Sequence, residues 1–152
     1  MIKVGAMAPD FELKADSGQT VRLGNYRGRR VILYFYPKDD TSGCTKQACG
    51  FRDHLPEFEA RDAAVLGVSP DGVASHERFR DKYELNFPLL ADPDHSVAAA
   101  YGAWGKKKMY GREYDGILRS TFVIAPDGRV EKVYAKVKPA GHAELLLKNL
   151  PS

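Results

Sequence analysis

Cysteine is scarce in this sequence, with two residues in 152, and tryptophan occurs once. Cys44 and Cys49 stand five positions apart, and a bridge between them closes only a trivial loop. A secreted scaffold stapled by several disulfides is therefore excluded. A structural zinc site is poorly supported, because such sites take four ligands with cysteines typically paired at spacings of two to four. His54, His76, His95 and His142 are scattered and form no ligand-like pair. Four residues lie between the cysteines, so the C-x-x-C dithiol pattern is absent as well. Long apolar runs are missing: none approaches the ~20 residues that cross a bilayer. No charged-then-apolar leader opens the chain, since Pro9, Asp10 and Glu12 interrupt it. Charge of one sign is also lacking. Lys and Arg number 23 against 20 Asp and Glu, a net charge of +3. That surplus is too small for a nucleic-acid binder, whose affinity rests on many phosphate contacts. Internal repeats and low-complexity tracts are absent.

What is present suits a folded chain. Hydrophobic residues make up 43% and charged residues 28%, enough for one domain over residues 1–152 with a core of its own. The expectation is a cytoplasmic protein with no membrane or nucleic-acid partner. Phe11–Lys14 and Thr20–Leu23, separated by Asp16-Ser17-Gly18, predict an N-terminal β-hairpin. Val31–Tyr36, an unbroken apolar run, predicts a central strand buried on both faces. Pro37 ends it, a polar loop follows, and from Thr45 the spacing of Ala48, Phe51, Leu55 and Phe58 predicts a helix. Pro56 is expected to kink or divide that helix. Ala63–Ser69 reads as a strand, Ser75–Tyr83 as a helix, Phe87–Leu90 as a strand and Asp94–Tyr101 as a short helix. Ser120–Ile124 and Val130–Tyr134 flank a Pro126-Asp127-Gly128 turn, and a helix closes the chain from about Gly141 to Leu150. Lys106-Lys107-Lys108, among nearby glycines, is expected to be a solvated loop. The order of elements predicts an α/β fold with a central mixed sheet flanked by helices.

Several motif matches fail on inspection. Gly67-Val68-Ser69-Pro70-Asp71-Gly72 has one residue too many for a nucleophile elbow, and Val73 stands where a phosphate-binding loop needs Lys. His76-Glu77 begins a zinc-protease helix but Arg80 replaces its second His.

Cys44 is different. It follows a buried strand and a tight loop, and it opens a helix. A helix N-terminus offers unpaired N–H groups and a partial charge of roughly +0.5, both of which favour thiolate over thiol. Thr41 can bring its hydroxyl near the sulfur, and Pro37 fixes the backbone where the loop leaves the strand. The bland alternative is a pair of small buried residues in a helix.

The segment Pro37-Lys38-Asp39-Asp40-Thr41-Ser42-Gly43-Cys44 resembles the P-x-x-x-T-x-x-C signature of peroxiredoxins. The longer stretch from Tyr34 through Cys44-Thr45-Lys46-Gln47-Ala48-Cys49 is similar to the peroxiredoxin Q, or bacterioferritin comigratory protein, subfamily. Ala8-Pro9-Asp10-Phe11, Tyr101-Gly102-Ala103-Trp104 and Gly116-Ile117-Leu118-Arg119-Ser120-Thr121-Phe122 extend the likeness over nearly the whole chain. Ser42 departs from it, standing where the subfamily has Pro. The resemblance implies a thioredoxin-like fold and a thiol peroxidase acting on hydrogen peroxide and organic hydroperoxides in antioxidant defence. It implies Cys44 as the peroxidatic cysteine, Cys49 as the resolving one through an intramolecular disulfide, and Thr41 and Arg119 as polar partners. Thioredoxin or a similar dithiol is the implied reductant, a monomer the implied state, and no metal, haem or flavin is expected.

An ordinary thiol is ~3% thiolate at neutral pH, so full ionisation gains at most roughly thirtyfold, about 2 kcal/mol. Rapid peroxide reduction needs donors for the departing oxygen, typically ~10²–10³ each. Arg119, always charged and planar, suits that role, with Thr41 and the amides of Gly43 and Cys44 completing a pocket bounded by Pro37. On a regular helix the two cysteine Cα atoms lie ~8.7 Å apart, beyond the ~7 Å limit for a disulfide. Resolution must therefore unwind at least a turn, eased by the low helix propensity of Gly43 and Gly50. Phe35, Tyr36, Phe51, Phe87 and Trp104 read first as core packing and second as an apolar rim to the pocket. Two other functions stay open on the residues alone. One is a dithiol sensor or exchanger without peroxidase turnover. The other is a binding module in which the lysine loop docks a partner or nucleic acid and the cysteines are structural.

Overall fold

The computed structural model describes residues 1–151. The N-terminal hairpin forms as expected: β1 (Glu12–Ala15) pairs antiparallel with β2 (Thr20–Arg22). The apolar run becomes β3 (Arg30–Phe35), and α1 (Ser42–Ala60) follows after the loop. Then come β4 (Ala63–Ser69), α2 (Val73–Tyr83), β5 (Leu89–Ala91) and α3 (Ser96–Tyr101). A second hairpin, β6 (Trp104–Met109) with β7 (Arg112–Ile117), precedes β8 (Ser120–Ile124), β9 (Val130–Tyr134) and α4 (His142–Asn149). The main sheet has the order β2-β1-β5-β4-β3-β8-β9. It is mixed, with β3, β4 and β5 parallel and β8 antiparallel to β3.

Alternate residues of a strand face opposite sides, which divides the core in two. Ile32, Tyr34 and Tyr36 point into one cluster with Phe51 and Phe58 of α1, Phe79 of α2 and Leu146 of α4. Val31, Leu33 and Phe35 point into the other with Tyr101 of α3, Phe122 and Ile117. Both faces of β3 are covered, which is why its sequence is apolar without alternation. Phe35, Tyr36, Phe51 and Phe87 are buried core residues, and Trp104 is partly buried with its ring stacked 3.7 Å from that of His95. Among the described residues no helix is long and apolar enough to cross a membrane.

Two expectations are corrected. Pro56 does not divide α1, which runs unbroken from Ser42 to Ala60. Proline removes the amide that serves the Arg52 carbonyl, and Asn86 Nδ2 donates to that carbonyl instead at 3.2 Å. The lysine segment is a hairpin rather than a loop. Tyr110 and Gly111 both adopt positive φ, 53° and 76°, the combination of a type I′ turn that matches strand twist. Lys106 and Lys108 then pair across it with Asp115 and Glu113, at 3.4 and 3.8 Å.

At the start of α4, His142 is buried with Nε2 2.8 Å from Thr121 Oγ1. Burial, then the Arg119 guanidinium, pushes the His142 pKa down from 6.5 to about 4. The unfolded chain thus takes up this proton before the folded one does. The stability tied to the neutral ring is complete above 6.5 and is lost as pH falls toward about 4. Urea unfolding midpoints are expected to decline over that interval, and His142→Gln is expected to flatten the decline. An equally steep decline in the variant contradicts the assignment.

Candidate active site

The site is built where β3 hands the chain to α1. Thr41 occupies the N-cap of α1 in extended backbone, and the Thr45 amide donates the first helical bond to its carbonyl at 2.8 Å. The amides of Ser42, Gly43 and Cys44 precede that bond and have no intrahelical acceptor, so their N–H groups are available at the helix end. Thr41 caps nothing with its side chain; its hydroxyl donates to the Lys38 carbonyl at 2.9 Å. Pro37 directly follows the last strand turn, with Tyr36 still bonded through its amide to Val68. Cys44 is 1% exposed, and Cys49 is half-buried on the same helix; both are free thiols.

Arg119 arrives from 75 positions downstream. The register of β8 on β3 pairs Ser120 with Phe35, so the residue before β8 falls beside the loop that leaves β3. The Arg119 Nη2 donates to Cys44 Sγ at 3.2 Å, and Nη1 donates to Gln47 Oε1 at 2.6 Å. A donor and a full positive charge therefore face the sulfur, and the planar fork is anchored at its second nitrogen. Its backbone is fixed as well, since the Val137 amide donates to the Arg119 carbonyl at 3.1 Å. Gly43 makes the arrangement sterically possible. A Cβ there meets Pro139 Cγ at 3.1 Å and Arg119 Nη2 at 3.4 Å.

The loop between Pro37 and Cys44 is clamped to α2. Asp39 Oδ1 accepts from Tyr36 Oη at 2.6 Å, and Oδ2 accepts from Ser75 Oγ at 2.7 Å and lies 2.6 Å from His76 Nδ1. The other ring nitrogen of His76 faces the Leu90 carbonyl at 3.0 Å; a carbonyl only accepts, so Nε2 carries a proton. Burial pushes the Asp39 carboxyl up, but His76, Tyr36 and Ser75 overcome it and hold the group below the usual carboxylate range. Asp40 reaches the other end of α2, accepting from Lys82 Nζ at 2.7 Å and Tyr83 Oη at 2.6 Å.

The structure thus brings Cys44, Gly43 and Arg119 into one cluster, with Thr41 and Pro37 in the backbone that leads to it. It adds three residues that sequence reasoning missed. Gln47 lies one turn beyond Cys44, 1% exposed, with its Nε2 buried and without a hydrogen-bond partner; its position at Cys44 plus three was the available signal. Asp39 and His76 meet across 37 residues, and no local pattern announces that contact.

Gly43→Ala brings its Cβ to 3.1 Å from Pro139 Cγ, so that ring or the start of α1 that carries Cys44 must give by a few tenths of an ångström. Stopped-flow fluorescence of Trp104 is expected to show Cys44 oxidation by hydrogen peroxide slowed about three- to tenfold, short of the ~10² that a full 1 Å misplacement can cost. An unchanged rate contradicts the packing argument.

The profile of the AhpC/TSA family matches residues 4–133. Peroxiredoxin Bcp of Bacillus subtilis (strain 168) is 48% identical over 149 residues, covering 98% of this chain and 95% of that protein. Peroxiredoxin Bcp of Escherichia coli (strain K12) is 44% identical over 146 residues, covering 96% and 94%. Among solved structures, Xanthomonas campestris bacterioferritin comigratory protein, studied for its alkyl peroxide reduction activity, matches with a TM-score of 0.87. It is 40% identical, over 91% of this chain and 88% of that one. A cysteine-to-serine mutant of Xylella fastidiosa PrxQ matches with a TM-score of 0.92 at 36% identity, over 97% of this chain and 94% of that one. The thioredoxin-like fold implied by the signature is the fold these neighbours share. The chain belongs to the AhpC/TSA family, in its peroxiredoxin Q or bacterioferritin comigratory protein branch.

Proposed function

We propose that this chain is a two-cysteine thiol peroxidase in which Cys44 attacks the peroxide and Cys49 resolves the product. The contact between Arg119 Nη2 and Cys44 Sγ, at 3.2 Å, carries the reading. A cationic donor held against a cysteine sulfur favours the thiolate, the form that attacks peroxide. The Cys44 thiolate attacks the terminal oxygen of the peroxide. An S–O bond forms, the O–O bond breaks, and the departing oxygen gathers negative charge while the sulfur is oxidised by two electrons. Arg119 and the amides of Gly43 and Cys44 are the donors for that charge, and fixed donors of this kind typically contribute ~10²–10³ each. Thr41, whose hydroxyl hydrogen is committed to Lys38, offers its oxygen as acceptor for the peroxide hydrogen. Pro37 bounds the pocket and sets the path of the loop.

The resulting sulfenic acid condenses with the Cys49 thiol, releasing water and leaving an intramolecular disulfide. Both residues lie on α1, so the ~8.7 Å between their Cα atoms must first shrink by unwinding of its N-terminal turns. A thioredoxin or similar dithiol then reduces the bridge by exchange. If unwinding lags, a second peroxide takes Cys44 to sulfinic acid and ends the cycle. Residues 1–152 act as one domain and as a monomer, in the cytoplasm, on hydrogen peroxide and organic hydroperoxides, and without a metal or organic cofactor.

Intact mass under non-reducing conditions, after one equivalent of hydrogen peroxide and a brief quench, tests this. The monomer is expected to lose two hydrogens at once, and Cys49→Ser to gain oxygen instead. A lasting gain of one oxygen by the wild type removes Cys49 as resolver. No prompt change in mass contradicts the peroxidase reading as a whole.

A further inference from the structure

Asp39 and His76 form a buried ion pair beside the site. His76 is 0% exposed and Asp39 8%, and Tyr36, Ser75 and His76 all aim donors at the one carboxylate. Burial pushes the Asp39 carboxyl up, but these donors hold it below the usual carboxylate range. The proton in the 2.6 Å contact therefore belongs to His76 Nδ1. Nε2 donates to the Leu90 carbonyl, so the ring carries both protons and a full charge. Buried ion pairs are poor sources of stability, since apolar residues of similar volume often serve as well. Such a pair is better suited to fixing one arrangement of the chain.

What it fixes is the approach to the turn that must unwind. The Asp39 amide donates to Asp71 Oδ2 at 2.7 Å, so backbone and side chain of this residue are both held. Asp40 comes next with φ 57°, a left-handed conformation that a non-glycine residue keeps only where its surroundings enforce it. Lys82 Nζ and Tyr83 Oη hold its carboxylate. Thr41 follows, and its carbonyl accepts the first bond of α1. Ser75 and His76 belong to the first turn of α2, Lys82 and Tyr83 to its last. The loop is thus anchored from both ends of one helix, and the start of α1 cannot move toward Cys49 without drawing on that anchor.

We propose that His76, acting through Asp39, is a positioning residue that sets how oxidised Cys44 divides between resolution and overoxidation, a role that rests on the peroxidase reading above. The sulfenic acid has two exits. It condenses with the Cys49 thiol, forming the S–S bond and releasing water. Alternatively its sulfur takes an oxygen from a second hydrogen peroxide, the O–O bond breaks, the other oxygen leaves as water, and sulfinic acid remains. Only the first exit needs α1 unwound. An anchor that resists unwinding slows that exit and leaves the second in place.

Intact mass after a graded excess of hydrogen peroxide reads the ratio of disulfide to sulfinic acid. Both products arise from one sulfenic intermediate, so a loss of overall stability does not by itself move the ratio. His76→Gln puts an amide nitrogen where Nε2 stands and leaves Asp39 without its charged donor. The ratio is expected to rise about tenfold or more, the scale of a hydrogen bond to a charged group. Ser75→Ala removes a neutral donor and leaves the ion pair, for a rise of about threefold, and it keeps the test open if His76→Gln does not fold. His76→Asn, whose amide nitrogen stands where Nδ1 does, is expected to bring the ratio back toward the wild type. Val130→Ala, in the core cluster on the other face of the sheet, is expected to lower the thermal midpoint without moving the ratio. A ratio unchanged or lowered in His76→Gln and Ser75→Ala overturns the proposal. A rise as large in His76→Asn or in Val130→Ala overturns it too, since the effect is then not carried by the donor to Asp39. A wild type that forms sulfinic acid and no disulfide refutes Cys49 as resolver instead, and one that forms neither product refutes the peroxidase reading.

Discussion

Two cysteines five residues apart on one α-helix cannot form a bond, and the account depends on that constraint. The ladder of α1 holds Cys44 at the helix end, where Arg119 donates to its sulfur, and the same ladder keeps Cys49 out of reach. On the proposed roles of Cys44 and Cys49, one conformation serves attack on peroxide and a different one serves resolution. The contacts that fasten the start of α1 set the balance between them. Arg119 ties Cys44 to Gln47 one turn on, Pro139 packs on Gly43, and Asp39 and Asp40 fasten the preceding loop to α2. Several of these involve the reacting sulfur or its direct neighbours. Adding oxygen to that sulfur changes the acceptor that Arg119 holds, so oxidation acts on the same contacts that keep the helix wound.

The sheet supplies the precision. Arg119 stands against Cys44 because β8 runs antiparallel to β3 in a register that sets Ser120 beside Phe35. A one-residue slip turns every β8 side chain to the opposite face. The inward residues of β8, Thr121 to Ile124, are all buried and fix the register by packing. Core and site are thus one construction: the apolar pattern that buries Phe122 and Val123 also delivers the guanidinium.

Much of this was legible in the residues, for physical reasons that differ from part to part. Ala63–Ser69, Ser120–Ile124 and Val130–Tyr134 are strands with the predicted limits, because turn residues bound each apolar run. The Cys44 site was legible through its signature and through the strand–loop–helix order that the signature requires. Pro56 misled because its local cost is met by Asn86, 30 positions away, a compensation no window around Pro56 contains. The β6–β7 hairpin was missed because its turn begins with Tyr110, a residue that rarely takes positive φ, in place of the Asn or Asp that usually announces such turns. Gln47 stood in the quoted signature without a role, since only the folded chain brings Arg119 to it. The Asp39–His76 contact is likewise a product of tertiary structure alone.

The most direct test of the central constraint is backbone amide NMR of the chain in its reduced and its disulfide states. The account predicts that the amides from Cys44 to Cys49 lose helical shifts and exchange protection when the bridge forms, while those of β3, β4 and β8 keep theirs. Helical shifts retained from Cys44 through Cys49 in a chain shown by mass to carry the bridge contradict it.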